Sequence, residues 1–170
     1  IGGGQLSNRN LIINGAMTVA QRGPSASAVN GMFTVDRFAN QTNTVVNQPD
    51  QAQVDVASGT TPYTLGFRKA FKITNGNQTS VSADSIIIFK HVIEAQNLVC
   101  SGWNYTSSSS YVTLSFWVKS SVAQNFYGYF RTKDGTVQKY GFDTGTLTAN
   151  TWTKVTKLIP GNSNLTFDND

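Results

Sequence analysis

The strict alternation of apolar and polar residues over residues 112–119 is the feature that most constrains the fold. Apolar side chains occupy every second position there, and the positions between them carry polar side chains or Trp117. A period of two is the repeat of a β-strand with one face in a core, and it excludes an amphipathic helix. Three further runs share this alternation: residues 126–131, 136–142 and 152–159. A Lys-Asp-Gly turn at residues 133–135 predicts that the first two of these pair as an antiparallel hairpin.

Shorter β-prone runs, separated by turn residues, fill much of the remaining chain. They are residues 11–13, 17–21, 33–38, 43–46, 53–57, 67–73 and 86–92. The last run is nearly continuous in apolar residues, which predicts a strand covered on both faces. Residues 93–98 predict one short helical turn. Many short strands between turns predict an all-β fold, namely an antiparallel two-sheet sandwich.

Composition excludes the main alternatives to this fold. Charged residues make up 13% of the 170 residues, and glutamate occurs once, as Glu94. A helical bundle is therefore excluded, because surface helices depend on Glu, Lys and Ala. Disorder is excluded as well, since 11% of the residues are aromatic and can form a core.

The net charge of +4 has consequences for partners. The basic residues of the chain are scattered, whereas nucleic-acid binding needs a basic patch. No nucleic-acid partner is therefore predicted. A weak attraction to anionic cell-surface polymers fits the charge. Membrane insertion is not predicted, since no apolar run approaches the ~20 residues of a membrane span. The single cysteine, Cys100, excludes an internal disulfide.

Motifs for enzymatic chemistry are absent from the sequence, and no catalytic residue, metal site or cofactor is predicted. The one histidine, His91, lies within an apolar β-run, which favours a buried or half-buried structural role over that of a catalytic base. Cys100 follows an apolar pair and is expected to be an inert core thiol. Loop aspartates are suitable ligands for a structural Ca²⁺, but no spacing selects a site. The chain is therefore expected not to be an enzyme.

Domain organisation follows from the chain length and from the first residues. Residues 1–9, which include a Gly-Gly-Gly run, are expected to form a flexible linker or attachment segment. Residues 10–170 are expected to form a single β-sandwich domain. Both ends are expected to continue into further polypeptide.

One group of charged residues stands beside apolar strand residues. Arg22 follows one β-prone run, and Asp36 and Arg37 lie within another. Because arginine pairs well with a carboxylate, the three are expected to form a mostly buried ion pair, with Asp36 touching at least one arginine. Ordinary surface charge is the alternative interpretation.

Six segments in order along the chain resemble a domain of bacteriophage tail-fibre proteins, especially those of marine and cyanobacterial phages. They are residues 10–17 (NLIINGAM), 20–23 (AQRG), 33–38 (FTVDRF), 93–98 (IEAQNL), 112–121 (VTLSFWVKSS) and 150–154 (NTWTK). Ala95 replaces the glycine of the family's IEGQNL motif. The resemblance implies a jelly-roll sandwich similar to carbohydrate-binding modules, carried on a homotrimeric fibre of the virion. The family's domain continues past the position of Asp170, so the sandwich is expected to be incomplete here.

The polar faces of the alternating strands carry the candidate ligand residues. They are Trp117 and Lys119 on one strand, and Tyr127, Tyr129 and Arg131 on another, with Trp103 and Tyr105 in the preceding loop. Sugars stack their C–H faces on aromatic rings while polar groups bind their hydroxyls, so such a face beside cations suits an acidic glycan. The alternative is that Trp117 packs under loops or against a neighbouring subunit.

These observations favour a virion tail-fibre domain that adheres to host cell-surface polysaccharide. The first alternative is a purely structural appendage or attachment domain that contacts other tail or capsid proteins. A depolymerase is a third alternative. The expected location is the surface of the extracellular virus particle, and an open sheet edge is expected to be covered by a neighbouring chain or by the missing continuation.

Overall fold

The computed structural model describes residues 10–167, which form nine β-strands and two short helices. Every strand pairing is antiparallel. The prediction of a mainly β chain is thus confirmed. The described residues divide into two compact units, one over residues 12–93 and one over residues 94–167 together with residues 10–11. The linker predicted over residues 1–9 lies outside the described residues.

The unit over residues 12–93 contains a three-stranded sheet and a two-stranded ribbon. Its elements are β1 (Ser25–Ala26), β2 (Phe38–Asn43), β3 (Asp50–Asp55), α1 (Thr61–Thr64), β4 (Lys69–Thr74) and β5 (Ile86–His91). β3 is the central strand of the sheet, between β1 and β4, and β2 pairs with β5 in the ribbon. The β2–β5 register places Phe38 opposite His91.

Aromatic side chains form the core of this unit. Phe38 is 3% exposed. Its ring centroid lies 4.8 Å from that of His91, 5.4 Å from that of Phe89 and 6.5 Å from that of Phe71. Aromatic pairs at these separations are favourable in tilted and offset arrangements. Phe38 and Phe89 come from the ribbon and Phe71 from β4 of the sheet, so ring packing joins the two parts of the unit.

A buried amide network fixes the loop that precedes β2. Gln51 and Asn40 are both fully buried. The Gln51 amide nitrogen donates to the Gly31 carbonyl at 2.7 Å and also to Asn40 Oδ1. Gln51 Oε1 accepts from the Thr34 hydroxyl at 3.3 Å. Buried polar groups must be paired to be tolerated, so this network holds residues 29–34 against β2 and β3.

The second unit consists of a short helix followed by two antiparallel ribbons. Its elements are α2 (Ala95–Val99), β6 (Tyr111–Val118), β7 (Asn125–Arg131), β8 (Lys139–Thr146) and β9 (Thr153–Pro160). β6 pairs with β9, and β7 with β8. Its buried apolar side chains are Leu98, Leu147, Val155 and Ile159. The Phe142 ring contacts those of Phe116, on β6, and Phe130, on β7, at centroid distances of 6.4 and 6.1 Å.

The regularly alternating strands lie where the sequence predicts them. β6, β7 and β9 match the predicted runs to within one or two residues, and the helical turn predicted over residues 93–98 corresponds to α2. The hairpin predicted from the turn at residues 133–135 forms. Its second strand, β8, begins and ends a few residues later in the chain than the predicted run of residues 136–142.

Several predictions based on short apolar runs are wrong. Residues 11–13 and 17–21 form turns and irregular backbone, because the Asn14 side chain bonds both the N–H and the carbonyl of Val19. Residues 33–37 are also irregular: the backbone at Arg37 has a φ of 73°, which interrupts an extended strand before Phe38. The strand predicted over residues 43–46 fails because Thr44, at a φ of 47°, ends β2.

The prediction that residues 86–92 are covered on both faces is also wrong for this chain. Ile86 is 41% exposed, Phe89 48% and Val92 61%. β5 pairs only with β2 among the described strands, and too few elements within residues 10–167 pack on it to bury a continuous apolar run.

Candidate functional site

The outer face of the β7–β8 ribbon brings several polar and aromatic side chains together. Tyr127, Tyr129 and Arg131 occupy alternate positions of β7 and therefore point to one face. In the antiparallel register they lie opposite three residues of β8: Asp143, Gly141 and Lys139, respectively. Cross-strand partners of this kind have their Cβ atoms about 5 Å apart, so the six positions form one continuous surface.

A groove of about 480 Å³ lies on this ribbon. Its lining residues are Tyr127, Gly128, Tyr129, Lys139, Gly141, Phe142 and Asp143. Tyr127 is 82% exposed and Tyr129 46% exposed, so both rings are accessible to a ligand. Gly141 lies opposite Tyr129, and a Cβ atom at its position would meet no other atom within 4 Å. The missing side chain thus leaves a gap beside the Tyr129 ring.

Opposite charges lie along this tyrosine groove, as we call the surface formed by these seven residues. The Lys139 ammonium lies 5.4 Å from the centroid of the Tyr129 ring, a cation–π contact. Asp143 Oδ1 lies 3.4 Å from Lys157 Nζ and accepts the Gly145 N–H at 3.1 Å. The carboxylate of Asp143 is therefore held in position. The groove combines two aromatic faces with a cation and an anion.

Close packing around Phe142, which also lines the groove, makes the ribbon a firm support. A Cβ atom at Gly128 would lie 2.5 Å from the Phe142 ring, so only glycine allows that ring to lie this close to the β7 backbone. The rings of Phe116 and Phe130 contact Phe142 in turn. A cluster of large rings is therefore fixed behind the tyrosine groove.

Trp117 and Lys119 lie on the other ribbon of this unit. The β6–β9 register places Trp117 opposite Lys154, and Lys119 Nζ lies 5.3 Å from the centroid of the Trp152 ring. Trp117 and Trp152 are half-buried, whereas both lysines are exposed. The predicted ligand residues thus fall into two groups, one on each ribbon.

Trp103 and Tyr105 are engaged in packing within the loop before β6. The Trp103 indole N–H donates to the Ser110 carbonyl at 3.2 Å. The centroid of the Tyr105 ring lies 4.8 Å from that of Phe167 in an edge-to-face contact. Trp103 and Tyr105 are both half-buried. Neither lines the tyrosine groove. Their contacts hold the loop together.

The ion pair expected of Arg22, Asp36 and Arg37 is less buried than predicted. Arg22 Nη1 lies 3.4 Å from Asp36 Oδ1, but the Arg22 side chain is 50% exposed. The same Asp36 oxygen accepts the Gln21 N–H at 3.3 Å. Arg37 is half-buried. The expectation of a mostly buried group is wrong because Arg22 projects from a surface turn. Partly exposed pairs of this type contribute about 1 kcal/mol or less.

His91 and Cys100 differ in how they fit their predicted roles. His91 is half-buried, and its Nε2 lies 3.2 Å from the Ile13 carbonyl. Burial lowers the pKa of His91 below its ordinary value of 6.5, the hydrogen bond to Ile13 opposes this, and the charge of Arg37 lowers the pKa further. The core position predicted for Cys100 is wrong: the thiol is exposed at the end of α2, which buries only Leu98.

Sequence reasoning missed the residues that complete both groups. Lys139, Gly141 and Asp143 belong to the groove but lie on the strand that follows the predicted hairpin turn. The hairpin register could have identified them as cross-strand neighbours of Tyr127 and Tyr129. Trp152 and Lys154 could have been found only by pairing two strands that are separated by the 34 residues between Val118 and Thr153. No local signal specifies such a pairing.

The chain has no match among protein-family models, curated proteins or solved structures. Within residues 10–167, no helix is long and apolar enough to cross a bilayer. The same residues contain no group of three or more His, Cys, Asp or Glu side chains suited to a metal ion.

Proposed function

We propose that this chain is a glycan-binding module of a bacteriophage tail fibre that adheres to host cell-surface polysaccharide. In this proposal the domain is a jelly-roll sandwich over residues 10–170, and it belongs to a homotrimeric fibre on the virion. The sequence motifs that resemble tail-fibre domains support the virion assignment. The tyrosine groove supports the binding assignment.

The single observation that carries the proposal is the composition of the tyrosine groove. Two exposed tyrosine rings, Tyr127 and Tyr129, lie two residues apart on one strand, with a gap at Gly141 between the flanking charges. A pyranose ring has apolar C–H faces that pack on aromatic rings, and its hydroxyl groups need donors and acceptors at the rim. The groove supplies both kinds of contact.

The charged residues suggest how a sugar would be oriented. Asp143 offers carboxylate oxygens that accept hydrogen bonds from sugar hydroxyls, while Lys139 donates from its ammonium group. Arg131, opposite Lys139, adds a planar donor suited to a carboxylate substituent. A groove with both signs of charge is suited to a hydroxyl-rich sugar that carries at most one acidic group.

Affinity for one sugar unit at such an exposed surface is expected to be weak. Few ligand atoms would be fully desolvated, and hydrogen bonds at an exposed site compete with water. A trimeric fibre would present three copies of the groove to a repeating polymer. Linked sites raise overall avidity by about 10²–10⁴ without any new contact, which suits attachment to a polysaccharide.

A structural role in the virion is the second candidate, and one observation favours it. The β5 strand exposes Ile86 and Phe89, and Val92 directly follows it. Exposed apolar side chains along one strand are typical of a surface that contacts another protein. In this alternative, the domain attaches to other tail or capsid proteins and the tyrosine groove has no ligand.

A glycan array probed with the full 170-residue chain and three groove variants tests the proposal. Tyr127→Ala, Tyr129→Ala and Gly141→Leu should each reduce binding to the preferred host glycans by about tenfold or more, the first two by removing a stacking platform and the third by filling the gap. Tyr111→Ala is the matched control, because Tyr111 is also an exposed strand tyrosine but lies on β6. The proposal would be contradicted if the three groove variants bound the preferred glycans as tightly as Tyr111→Ala does, or if the unmodified chain bound no glycan.

A further inference from the structure

We propose that the outer face of the β6–β9 ribbon is a second ligand site, selective for anionic groups on sugars such as sulfate esters or carboxylates. Its residues are Trp117, Lys119, Trp152 and Lys154, which we call the tryptophan–lysine site. The choice of a sugar as the ligand rests on the function proposed above. The selectivity for an anion rests on the site itself.

Strand register brings the four residues of this site together. Trp117 and Lys154 are direct cross-strand partners. Lys119 lies two residues after Trp117, at the next position on the same face. Trp152 lies two residues before Lys154, also on one face, where the chain enters β9. The contact between Lys119 and Trp152 shows that these two side chains lie together just beyond the last ladder residues. A lysine thus lies beside each indole.

The two tryptophans have different surroundings. The Lys119 ammonium lies 5.3 Å from the centroid of the Trp152 ring, so this ring holds the ammonium by a cation–π contact. No comparable ring or cation contact is made by Trp117 within the described part of the chain. We therefore assign Trp117 as the stacking platform and Trp152 as the residue that positions Lys119.

Local charge at this site is entirely positive. Residues 111–124 and 147–160, which include both strands and their adjoining loop residues, contain no Asp or Glu. Lys119 and Lys154 make no ion pair within residues 10–167, whereas Lys157 lies on the opposite face of β9 and is paired with Asp143. Two exposed lysines beside an indole, on strands that carry no carboxylate, favour an anionic ligand over a neutral one.

The size of the site favours a substituted sugar over a nucleic acid. One indole platform with two cations matches one sugar ring with one anionic group. Single-stranded nucleic acid binds instead along a groove of cations, with successive bases on several aromatic rings. Trp152 is already occupied by Lys119 on one face, so consecutive bases would find only one platform here.

Binding of the full chain to matched polymers tests this inference. The probes are dextran sulfate, polygalacturonate, neutral dextran and a single-stranded oligonucleotide of similar charge. Lys119→Gln, Lys154→Gln and Trp117→Ala should each weaken binding to an anionic polysaccharide by about tenfold, which corresponds to one charge-assisted contact. Lys72→Gln, at an exposed lysine of β4, removes the same charge elsewhere and should change the affinity by less than about twofold.

The outcomes separate this site from the tyrosine groove. Binding to dextran sulfate alone identifies sulfate esters as the ligand, and binding to polygalacturonate alone identifies carboxylates. Loss of affinity for a polyanion in the Lys119→Gln and Lys154→Gln variants does not depend on any effect of Tyr129→Ala, so a failure of the groove would not affect this result. The inference is overturned if the site variants bind both polyanions as tightly as the unmodified chain does. It is also overturned if the unmodified chain binds neutral dextran as well as it binds the polyanions. A third contrary result is tighter binding of the oligonucleotide than of the polyanions, with a loss of that binding in the same variants.

Discussion

His91 shows how a single side chain makes the fold sensitive to pH. A carbonyl oxygen can only accept a hydrogen bond, so Nε2, 3.2 Å from the Ile13 carbonyl, carries the proton in the neutral ring. Nδ1 is buried and has no hydrogen-bond partner. Protonating Nδ1 would therefore create a buried charge with an unpaired N–H, next to the positive charge of Arg37. The folded state favours neutral His91.

The stability of the chain should consequently fall as the pH is lowered below about 6.5. The folded-state pKa of His91 is lower than its ordinary value of 6.5, so the unfolded chain binds the proton first. The stabilising contribution is complete above pH 6.5 and decreases as the pH falls through the folded-state pKa. Urea unfolding between pH 8 and pH 5 measures this effect. His91→Phe, which retains an aromatic ring beside Phe38, should remove most of this loss of unfolding free energy at low pH. If His91→Phe lost as much stability as the unmodified chain, the pH dependence would not come from His91.

Gln51 should be among the least replaceable polar residues. Gln51→Leu would leave the Gly31 carbonyl, the Phe33 N–H and Asn40 Oδ1 with fewer partners in a buried setting. We expect a loss of about 2–3 kcal/mol in the free energy of unfolding, measured by urea denaturation. Gln41→Leu is the matched control at an exposed position of β2 and should change stability by less than about 0.5 kcal/mol. Similar effects of the two substitutions would show that the network is not needed.

At the scale of elements, two glycines on one ribbon differ in what they permit. Gly128→Ala would place a methyl group 2.5 Å from the Phe142 ring, whereas Gly141→Ala would place one in open space. The first substitution should destabilise the chain by about 1–3 kcal/mol, as overpacking does. The second should leave stability nearly unchanged. Thermal unfolding of the two variants measures the difference, and equal melting temperatures would argue against the packing described for the ribbon.

The predictability of elements also depended on what holds each segment in place. β6, β7 and β9 were predictable because alternation alone specifies which face of a ribbon is buried. Residues 17–21 and 33–37 were not, because side-chain bonds to the backbone, such as those of Asn14, fix them. The alternation of side chains along β7 was enough to predict that one face carries Tyr127, Tyr129 and Arg131. Their partners on β8 required the register of the hairpin.

At the scale of the whole molecule, much strand edge and apolar surface is left without a partner. β5 and the strands of the β6–β9 and β7–β8 ribbons each have one edge that pairs with no other strand of the described residues. Two-stranded ribbons are marginally stable by themselves. Exposed apolar residues of β5, including Phe89, add to this surface. We therefore expect the chain to associate with copies of itself.

Sedimentation equilibrium of the 170-residue chain checks this prediction. We expect a concentration-dependent species of three times the 18.4 kDa chain mass. Ile86→Ser should weaken association, because it removes an exposed apolar side chain from β5. Val81→Ser, at an exposed apolar residue outside any strand, is the control and should have little effect. A monodisperse monomer at high concentration would count against the trimer.

Amide chemical-shift mapping during titration with host polysaccharide fragments shows directly whether the tyrosine groove binds sugar. We expect the largest shifts at Tyr127, Tyr129, Gly141 and Asp143 on the outer face of the β7–β8 ribbon. These shifts should disappear in Gly141→Leu, while the remaining spectrum stays that of the folded chain. Saturable shifts confined to residues outside the β7–β8 ribbon, or no shifts at any fragment concentration, would contradict the claim that this surface binds sugar.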